Sequence, residues 1–217
     1  KLIGLTGTNG KTTTTFLIKQ ILENVGKKVG LIGTVQNMVC DEVYPAHYTT
    51  PDPHELQSLF RKMVDAGCEY CIMEVSSQAL AQGRVEGIHF HIGAFTNLTQ
   101  DHLDYHKDME DYYQAKKMLF DICDTAIINA DDDYGKRLFG EVSCRKLSFS
   151  VKENADFYAD GIKIKSTGSS FWFCFGDKSH LIKTRMPGAF NVSNITAAIA
   201  ACLEAGLSID NIIPAVE

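Results

Sequence analysis

The sequence of 217 residues lacks three features, and each absence excludes a class of protein. No apolar run approaches the roughly 20 residues that a transmembrane helix needs, and no basic-then-apolar stretch of signal-peptide type opens the sequence. Positive charge is in deficit, because 21 Lys and Arg stand against 27 Asp and Glu for a net charge of −6. We therefore expect that the protein does not associate with membranes and does not bind nucleic acid independently of sequence.

Cysteine is present, but its pattern argues against a disulfide framework. The seven cysteines are odd in number and scattered, which predicts reduced thiols and a cytoplasmic protein. Cys68 and Cys71 form a CxxC that no second pair accompanies. Because Cys71 sits inside an apolar run, we expect a cysteine in a core strand rather than a zinc or redox site.

Short apolar runs alternate with longer amphipathic runs over the first two-thirds of the chain. This alternation predicts a mostly parallel sheet that is covered by helices on both faces. The predicted strands are "LIGLTG", "KVGLIGTV", "YCIMEV", "HIGAFTN" and "TAIINAD". The predicted helices are "KTTTTFLIKQILENVG", "PDPHELQSLFRKMVDAG", a short helix from Ser77, and "MEDYYQAKKMLFDIC".

The pattern changes between about 145 and 186, where polar and apolar residues alternate between Gly, Asp and Ser. This stretch predicts three or four antiparallel strands, either as a small subsheet or as an extension of the main sheet. The segment "AFNVSNITAAIAACLEAG" then returns to helix.

The stretch "GLTGTNGKTTTT" links the first strand to the first helix. Gly7 and Gly10 let backbone N–H groups turn inward around phosphate oxygens, and the helix start adds partial positive charge. Lys11 would reach the β- and γ-phosphates and Thr12 would bind Mg²⁺. A strict P-loop has glycine where Leu5 stands, but the alternative, an ordinary tight β–α turn, leaves Lys11 and Thr12 unexplained. The fold class expected is therefore α/β with a P-loop/Rossmann-like sheet.

Polar residues follow two further strands at their carboxyl ends, where parallel sheets bind ligands. Glu74 ends "YCIME" and could complete a Mg²⁺ shell with Thr12; the alternative is a helix-start carboxylate beside the Ser76/Ser77 cap. The segment "TNLTQDHLDYH" carries Asn97, Thr99, Asp101, His102, Asp104 and His106. A solvated loop is the better interpretation of Asp104 and His106 taken alone.

Lys116 falls on the apolar face of its predicted helix, whereas Lys117 points away toward Asp121. A buried amine has a lowered pKa, and a neutral amine can add CO₂ to become a carbamate, an anionic oxygen ligand. A snorkelling lysine is the alternative, and periodicity alone favours it.

The segments "TGTNGKTTT", "TTPD", "EVSSQAL", "TNLTQDHLDYH", "YYQAKKMLF", "INADDD" and "FNVSN" occur here in the order seen in Mur ligases of peptidoglycan synthesis. "TTPD" and "DHLDYH" most resemble the members that add the third residue of the stem peptide. The resemblance covers essentially the whole chain. It implies an ATP-binding central domain of an enzyme that joins a diamino acid to UDP-N-acetylmuramoyl-L-alanyl-D-glutamate, with ATP and Mg²⁺ and through an acyl phosphate.

The resemblance also implies residue roles. ATP would be bound by Gly7, Thr8, Asn9, Gly10, Lys11, Thr12, Thr13 and Asn194. One Mg²⁺ would lie on Thr12 and Glu74, and a second on His102 and carbamylated Lys116, so that Lys11, Lys116 and His102 serve catalysis. The UDP-muramoyl peptide would contact Thr49, Thr50, Ser76, Gln82 and Arg84. Gln78 departs from the family, since many relatives carry His there.

Residues 1–217 match only the central domain of this family, so we expect the UDP-binding N-terminal and the ligase C-terminal domain to lie outside this chain. Without the selecting domain, the added residue could be diaminopimelate or lysine. Two alternatives remain: another superfamily ligase, acting on folate or cyanophycin, and a nucleotide-binding module that does not ligate.

Overall fold

The computed structural model of the chain describes residues 1–101 and 104–217. Within these ranges eleven strands form one sheet, and seven helices and one 3₁₀ turn, Met118–Asp121, flank it. The strands are β1 Leu2–Thr6, β2 Val29–Ile32, β3 Asn37–Val39, β4 Glu42–Tyr44, β5 Tyr70–Glu74, β6 Phe90–Phe95, β7 Cys123–Asn129, β8 Arg145–Ser150, β9 Phe157–Lys165, β10 Gly168–Phe175 and β11 Lys178–Thr184. The helices are α1 Lys11–Asn24, α2 Pro53–Asp65, α3 Ser77–Ala81, α4 Met109–Lys117, α5 Asp133–Glu141, α6 Ala189–Glu204 and α7 Ile209–Val216.

The order of the sheet is β11-β10-β9-β8-β7-β6-β1-β5-β2-β3-β4. Strands β2, β5, β1, β6, β7 and β8 run parallel, which confirms the predicted fold class. One apolar core packs β-strand residues such as Ile72 against α1, α6 and α7, and a second core fills the opposite face. The carboxyl ends of β5, β1 and β6 lie side by side, so the segments that follow these strands meet at one edge.

The stretch between 145 and 186 extends the main sheet. Strand β8 pairs parallel with β7, so it is not one of the predicted antiparallel strands. Strand β9 continues the sheet through the parallel pair Phe149↔Phe157. Within this stretch, the antiparallel pairs are β9 with β10 and β10 with β11. Phe171, Phe173 and Ile182 join the core beneath α6, which ties this extension to the rest of the molecule.

Several boundaries differ from the sequence-based expectation. The helix expected over 109–123 ends at Lys117, and Cys123 instead begins β7 opposite Phe90, because strand pairing overrides the helical pattern. The hairpin β3–β4 was not predicted, since strands of three residues are too short to show alternation. Helices α5 and α7 were also missed.

Cysteine placement agrees with the sequence. Cys71 is buried within β5, as predicted. All seven cysteines fall in the described ranges, and each is a free thiol. Among the helices described, none combines the length and the apolar character needed to cross a bilayer.

Candidate active site

The loop between β1 and α1 has the backbone of a phosphate cradle. Gly7 has φ 142° and a Cβ there would lie 2.0 Å from Thr96 Oγ1. Gly10 caps α1 with φ 88° and a Cβ there would lie 2.4 Å from Asn194 Oδ1. Both positions therefore require glycine on conformational and steric grounds, and the predicted strand–loop–helix context is confirmed.

The loop that follows β6 supports this cradle. Thr8 N donates to Asn97 O at 2.8 Å, and Asn9 N donates to Asn97 Oδ1 at 2.9 Å. Thr96 Oγ1 donates to Asn9 O at 2.7 Å, and Asn9 Nδ2 donates to Thr99 Oγ1 at 3.3 Å. Asn97 and Thr99, singled out by their place after a strand, thus hold the phosphate loop in shape.

Lys11 folds back onto its own loop. Its Nζ donates to Gly7 O at 2.8 Å and to Thr8 O at 3.0 Å. Burial lowers the pKa of Lys11, and the negative charges of Glu74 and Asp101 oppose this shift. A phosphate in the loop would offer the amine a charged partner in place of these carbonyls.

Glu74 is fully buried at the end of β5 and points at the start of α1. Its Oε2 accepts from Thr12 Oγ1 at 3.0 Å and from Thr34 Oγ1 at 2.9 Å, while Oε1 accepts from Thr34 N at 3.1 Å. The capping role belongs to Ser76, whose side chain accepts from Ala79 N. Glu74 is therefore not the helix-start carboxylate of the alternative interpretation. Thr34 lies after β2 and was missed, because no motif marked it.

This oxygen cluster fits a hard divalent cation. Two hydroxyls and one carboxylate converge, which is the donor chemistry that Mg²⁺ prefers when phosphate and water complete its shell. Within the described ranges, no three His, Cys, Asp or Glu side chains gather into a metal site. His102, the predicted ligand of a second metal, lies outside the described residues.

Lys116 is buried, with only 2% of its surface exposed, so the snorkelling alternative is wrong. Its Nζ donates to Gly7 O at 3.0 Å and lies 4.6 Å from the centre of the Tyr112 ring. Burial, and then the positive charge of Lys11, lower the pKa of Lys116 well below the ordinary value, against the opposing charge of Asp101. Carbamate formation requires the neutral form of an amine, and the lowered pKa of Lys116 favours that form.

Lys117 takes the opposite direction, as predicted, but with another partner. Its Nζ lies 2.7 Å from Glu141 Oε2 on α5 rather than near Asp121. The prediction could not include this contact because α5 had not been recognised.

A cavity of about 340 Å³, the central cavity, brings Lys11 and Lys116 together with four of the five residues predicted to contact the muramoyl peptide. Lys11 and Lys116 both line this cavity. The described residues that line the rest are Tyr48, Thr49, Ser76, Ser77, Gln78, Gln82, Arg84 and Tyr105.

Thr50 is buried behind the residues that line the central cavity, and its hydrogen bonds fix the positions of two of them, Ser76 and Arg84. Its Oγ1 donates to Glu74 O at 2.8 Å and accepts from Ser76 N at 3.0 Å. Arg84 donates to Thr50 O at 2.9 Å and to Gln82 Oε1 at 2.8 Å. The guanidinium is thus oriented before any ligand arrives, as bidentate recognition of a carboxylate or phosphate requires.

A second cavity, of about 500 Å³, adjoins the other side of the phosphate loop. It is lined by Asn9, Gly10, Thr13, Asn97, Phe190, Ser193 and Asn194. Phe190 is 71% exposed there and was not assigned a role, although it stands inside the quoted "FNVSN" segment. Its free ring face provides an apolar surface beside Asn194.

Two residues of the segment after β6 differ from each other. Asp104 is exposed, as the solvated-loop interpretation predicts. His106 is only 2% exposed, so that interpretation is wrong for His106. The ring is enclosed by Ser77 of α3 and by Asp111 and Tyr112 of α4.

Residues 5–202 match the family model described as the Mur ligase middle domain. The chain belongs to the Mur ligase family. This agrees with the order of motifs along the sequence and with the phosphate loop, buried lysine and central cavity described above.

Curated relatives and solved structures of Mur ligases match the chain over nearly all its length. A UDP-N-acetylmuramoyl-L-alanyl-D-glutamate–2,6-diaminopimelate ligase of Clostridium acetobutylicum is 48% identical over 212 residues, 98% of this chain and 44% of the relative. The enzyme of that name from Clostridium tetani is 48% identical over 209 residues, 96% of this chain and 43% of the relative. A solved structure of such a ligase superposes with a TM-score of 0.92 at 30% identity, over 100% of this chain and 45% of that one.

The fold is shared more widely. The structure of a UDP-N-acetylmuramoylalanyl-D-glutamyl-2,6-diaminopimelate–D-alanyl-D-alanyl ligase from Acinetobacter baumannii superposes with a TM-score of 0.79 at 22% identity, over 100% of this chain and 45% of that one. This is a likeness of fold alone. The chain spans about 44% of the length of the curated relative from Clostridium acetobutylicum.

Proposed function

We propose that this Mur ligase middle domain is the ATP-binding part of a ligase that extends UDP-N-acetylmuramoyl-L-alanyl-D-glutamate by one amino acid. The observation that carries the proposal is the central cavity, which places Lys11 of the phosphate loop beside Thr49, Ser76, Gln82 and Arg84. Nucleotide phosphates and an acceptor carboxylate could meet there. Residues that supply the remaining contacts would lie in flanking domains of the longer enzyme.

The reaction proceeds in two steps. ATP binds with its phosphates on the loop from Gly7 to Thr13 and with its base beside Asn194, and Lys11 moves from the loop carbonyls onto the phosphates. Arg84, oriented by Thr50 and Gln82, positions the muramoyl peptide so that its carboxylate receives the γ-phosphoryl group. The amino group of the incoming residue then displaces phosphate from the acyl phosphate.

Thr12 and Glu74 would hold one Mg²⁺, and His102 with carbamylated Lys116 a second. Bound there, the ions would offset the negative charge that gathers on the transferring phosphoryl group. Thr34 keeps the Glu74 carboxylate in place through two hydrogen bonds. The burial of Lys116 lowers the pKa of its amine and so favours the neutral form, which is the form that reacts with CO₂.

We further propose that the added residue is 2,6-diaminopimelate rather than lysine, since the relatives at 48% identity bear that name. Their name also favours this acceptor over folate or cyanophycin. A cytoplasmic location is consistent with seven free thiols.

The test is turnover by the full-length enzyme that contains this chain, with UDP-muramoyl dipeptide and either diaminopimelate or lysine. We expect amide formation with diaminopimelate, and loss of it in Thr12→Ala, Glu74→Ala and His102→Ala. ATP binding should suffer less in His102→Ala than in Thr12→Ala. Turnover of a folate in place of the muramoyl peptide would refute the proposal, and near-normal turnover by His102→Ala would refute the second metal.

A further inference from the structure

A hydrogen-bonded chain of side chains leads from the central cavity to solvent. Ser77 lines the cavity, and its Oγ lies 2.8 Å from His106 Nε2. His106 Nδ1 lies 3.2 Å from Asp111 Oδ2, and the Asp111 side chain is 54% exposed. Neither of these two contacts touches the phosphate loop, and the sequence motifs assign them no role.

The direction of each hydrogen bond follows from chemistry. Backbone Lys107 N and the His106 ring lower the pKa of Asp111, so this carboxylate is ionised and can only accept. His106 Nδ1 therefore carries the proton that is donated to Asp111. In the neutral ring Nε2 is then the acceptor, and the Ser77 hydroxyl donates to it.

The ring is held in this orientation by packing. Tyr112 stacks on it with centroids 4.9 Å apart, and Tyr105 meets it edge-on at 4.9 Å. Of the described residues in contact with the ring, Asp111, Tyr105 and Tyr112 carry titratable groups. Among these, only Asp111 offers a charge to balance an imidazolium.

The proposed reaction needs a proton acceptor for the incoming amine. An amino group arrives largely protonated at neutral pH, and only its neutral form attacks a carbonyl carbon. Among the described residues that line the central cavity, none is a carboxylate or an imidazole. Ser77 is the lining residue whose hydroxyl is hydrogen-bonded to an imidazole.

We propose that Ser77, His106 and Asp111 form a proton-transfer chain for the incoming amine, an inference that rests on the proposed function. The ammonium group gives one proton to Ser77 Oγ while the Ser77 hydroxyl proton passes to His106 Nε2, and the imidazolium is balanced by Asp111. The freed lone pair forms the N–C bond to the acyl carbon. The C–O bond to phosphate breaks, phosphate leaves with the electron pair, and it takes the second proton of the nitrogen.

The experiment compares two nucleophiles in the full-length enzyme. Diaminopimelate needs its amine deprotonated, whereas hydroxylamine is uncharged at neutral pH and traps the acyl phosphate as a hydroxamate. In His106→Gln we expect amide formation to fall by about 10²–10⁴-fold, the usual contribution of a general base. Hydroxamate formation should stay close to that of the wild type, which also shows that the variant folds and makes acyl phosphate.

His89→Gln is the matched control, because His89 pairs with Asp124 at 2.7 Å on an exposed surface. It should form both products normally. Asp111→Asn, a change at an exposed position, should lower amide formation alone and serves if His106→Gln does not fold.

Equal loss of both products in His106→Gln and in Asp111→Asn would assign His106 a structural role and overturn the proposal. Unchanged amide formation in those variants would overturn it as well. A wild-type enzyme that forms hydroxamate but no amide would overturn the proposed function, and the proton-transfer chain with it.

Discussion

At the scale of single residues, the most informative side chain is Lys116. The Lys116 side chain is only 2% exposed, and its amine lies 3.0 Å from a backbone carbonyl oxygen, although the charge of Asp101 opposes the effect of burial on its pKa. Desolvation of a charge is costly. Conversion to a carbamate would turn the amine into an oxygen ligand that faces the phosphate loop.

We predict that Lys116→Ala and Lys116→Arg both stop turnover in the full-length enzyme, by about 10²-fold or more, since a preorganised electrostatic group is lost. Arginine keeps a positive charge where a negative oxygen is required. Activity of the wild type should fall in CO₂-depleted buffer, and small carboxylic acids should restore part of the activity of Lys116→Ala.

Lys117→Ala is the control for this prediction. It removes a neighbouring lysine whose partner is Glu141 on the surface of α5, so its effect on turnover should be small. Near-full activity of Lys116→Ala in CO₂-depleted buffer would leave the carbamate without support.

At the scale of secondary-structure elements, helix α4 is joined to α5 by a network of charges. Arg137 of α5 contacts Glu110 Oε2 of α4 at 2.6 Å and Glu141 Oε1 at 2.7 Å. Arg137, with a smaller contribution from Gln114, lowers the pKa of Glu110 to about 2. Lys117 first, and then Arg137, lower the pKa of Glu141 to about 2. The helix that carries Lys116 is thus fixed at its outer face by α5.

This network predicts a pH-dependent stability. Both carboxyl pKa values are lowered on folding from 4.5 to about 2, so the contribution is present above pH 4.5 and is lost as pH falls toward 2. Arg137→Met should be less stable than the wild type at pH 7, and the difference should shrink across that window. Urea unfolding at pH 7 and pH 3 measures it.

Because these groups are exposed, salt should screen the effect. The difference between Arg137→Met and the wild type at pH 7 should therefore be smaller at high ionic strength. A difference that is the same at pH 7 and at pH 3 would show that packing rather than charge links the two helices.

The three strands β9, β10 and β11 raise a second question at this scale. They could unfold separately from the parallel part of the sheet or together with it in one transition. Phe173 is fully buried in the core that also contains α6. Phe173→Ala should lower the free energy of unfolding of the whole chain by about 3–5 kcal/mol. One cooperative transition should remain by both circular dichroism and fluorescence.

Trp172→Ala supplies the comparison, since Trp172 lies next along β10 on the opposite face and is 45% exposed. Its effect should stay within about 1 kcal/mol. A separate, earlier transition in Phe173→Ala would mean that the extension is an independent unit.

At the scale of the whole molecule, the chain spans 44% of a relative whose name states a complete ligase activity. The central cavity lies between Lys11 of the phosphate loop and the residues proposed to contact the muramoyl peptide, Thr49, Ser76, Gln82 and Arg84. In the longer enzyme that we propose, closure of flanking domains would supply the orientation that ligation needs, which can contribute at most about 7–11 kcal/mol to lowering the barrier.

We therefore predict that this chain alone does not form the amide. It should bind nucleotide weakly and only with Mg²⁺, which calorimetry with and without the metal would measure. Gly10→Ala should abolish this binding, because a Cβ at that position would meet Asn194 Oδ1 at 2.4 Å. Robust amide formation by the purified chain would contradict the prediction.

Sequence alone determined whatever depends on neighbours along the chain. The loop from Gly7 to Thr12, the alternation of strands and helices, the buried position of Cys71 and the anomaly of Lys116 are all local patterns. A hydrophobic period, a pair of glycines or a lysine on an apolar helix face can be recognised in the sequence without knowledge of the residues that these positions contact in the fold.

Tertiary structure decided whatever depends on contacts between distant segments. Thr34 reaches Glu74 across 40 positions, and His106 reaches Ser77 across 29, so neither partner could be named from spacing. Strand β9 also pairs in parallel with β8, and the alternation of polar and apolar residues along a strand does not specify its pairing partner. These contacts form because the parallel sheet brings the carboxyl ends of separate strands to one edge, where side chains far apart in sequence satisfy one another's hydrogen bonds.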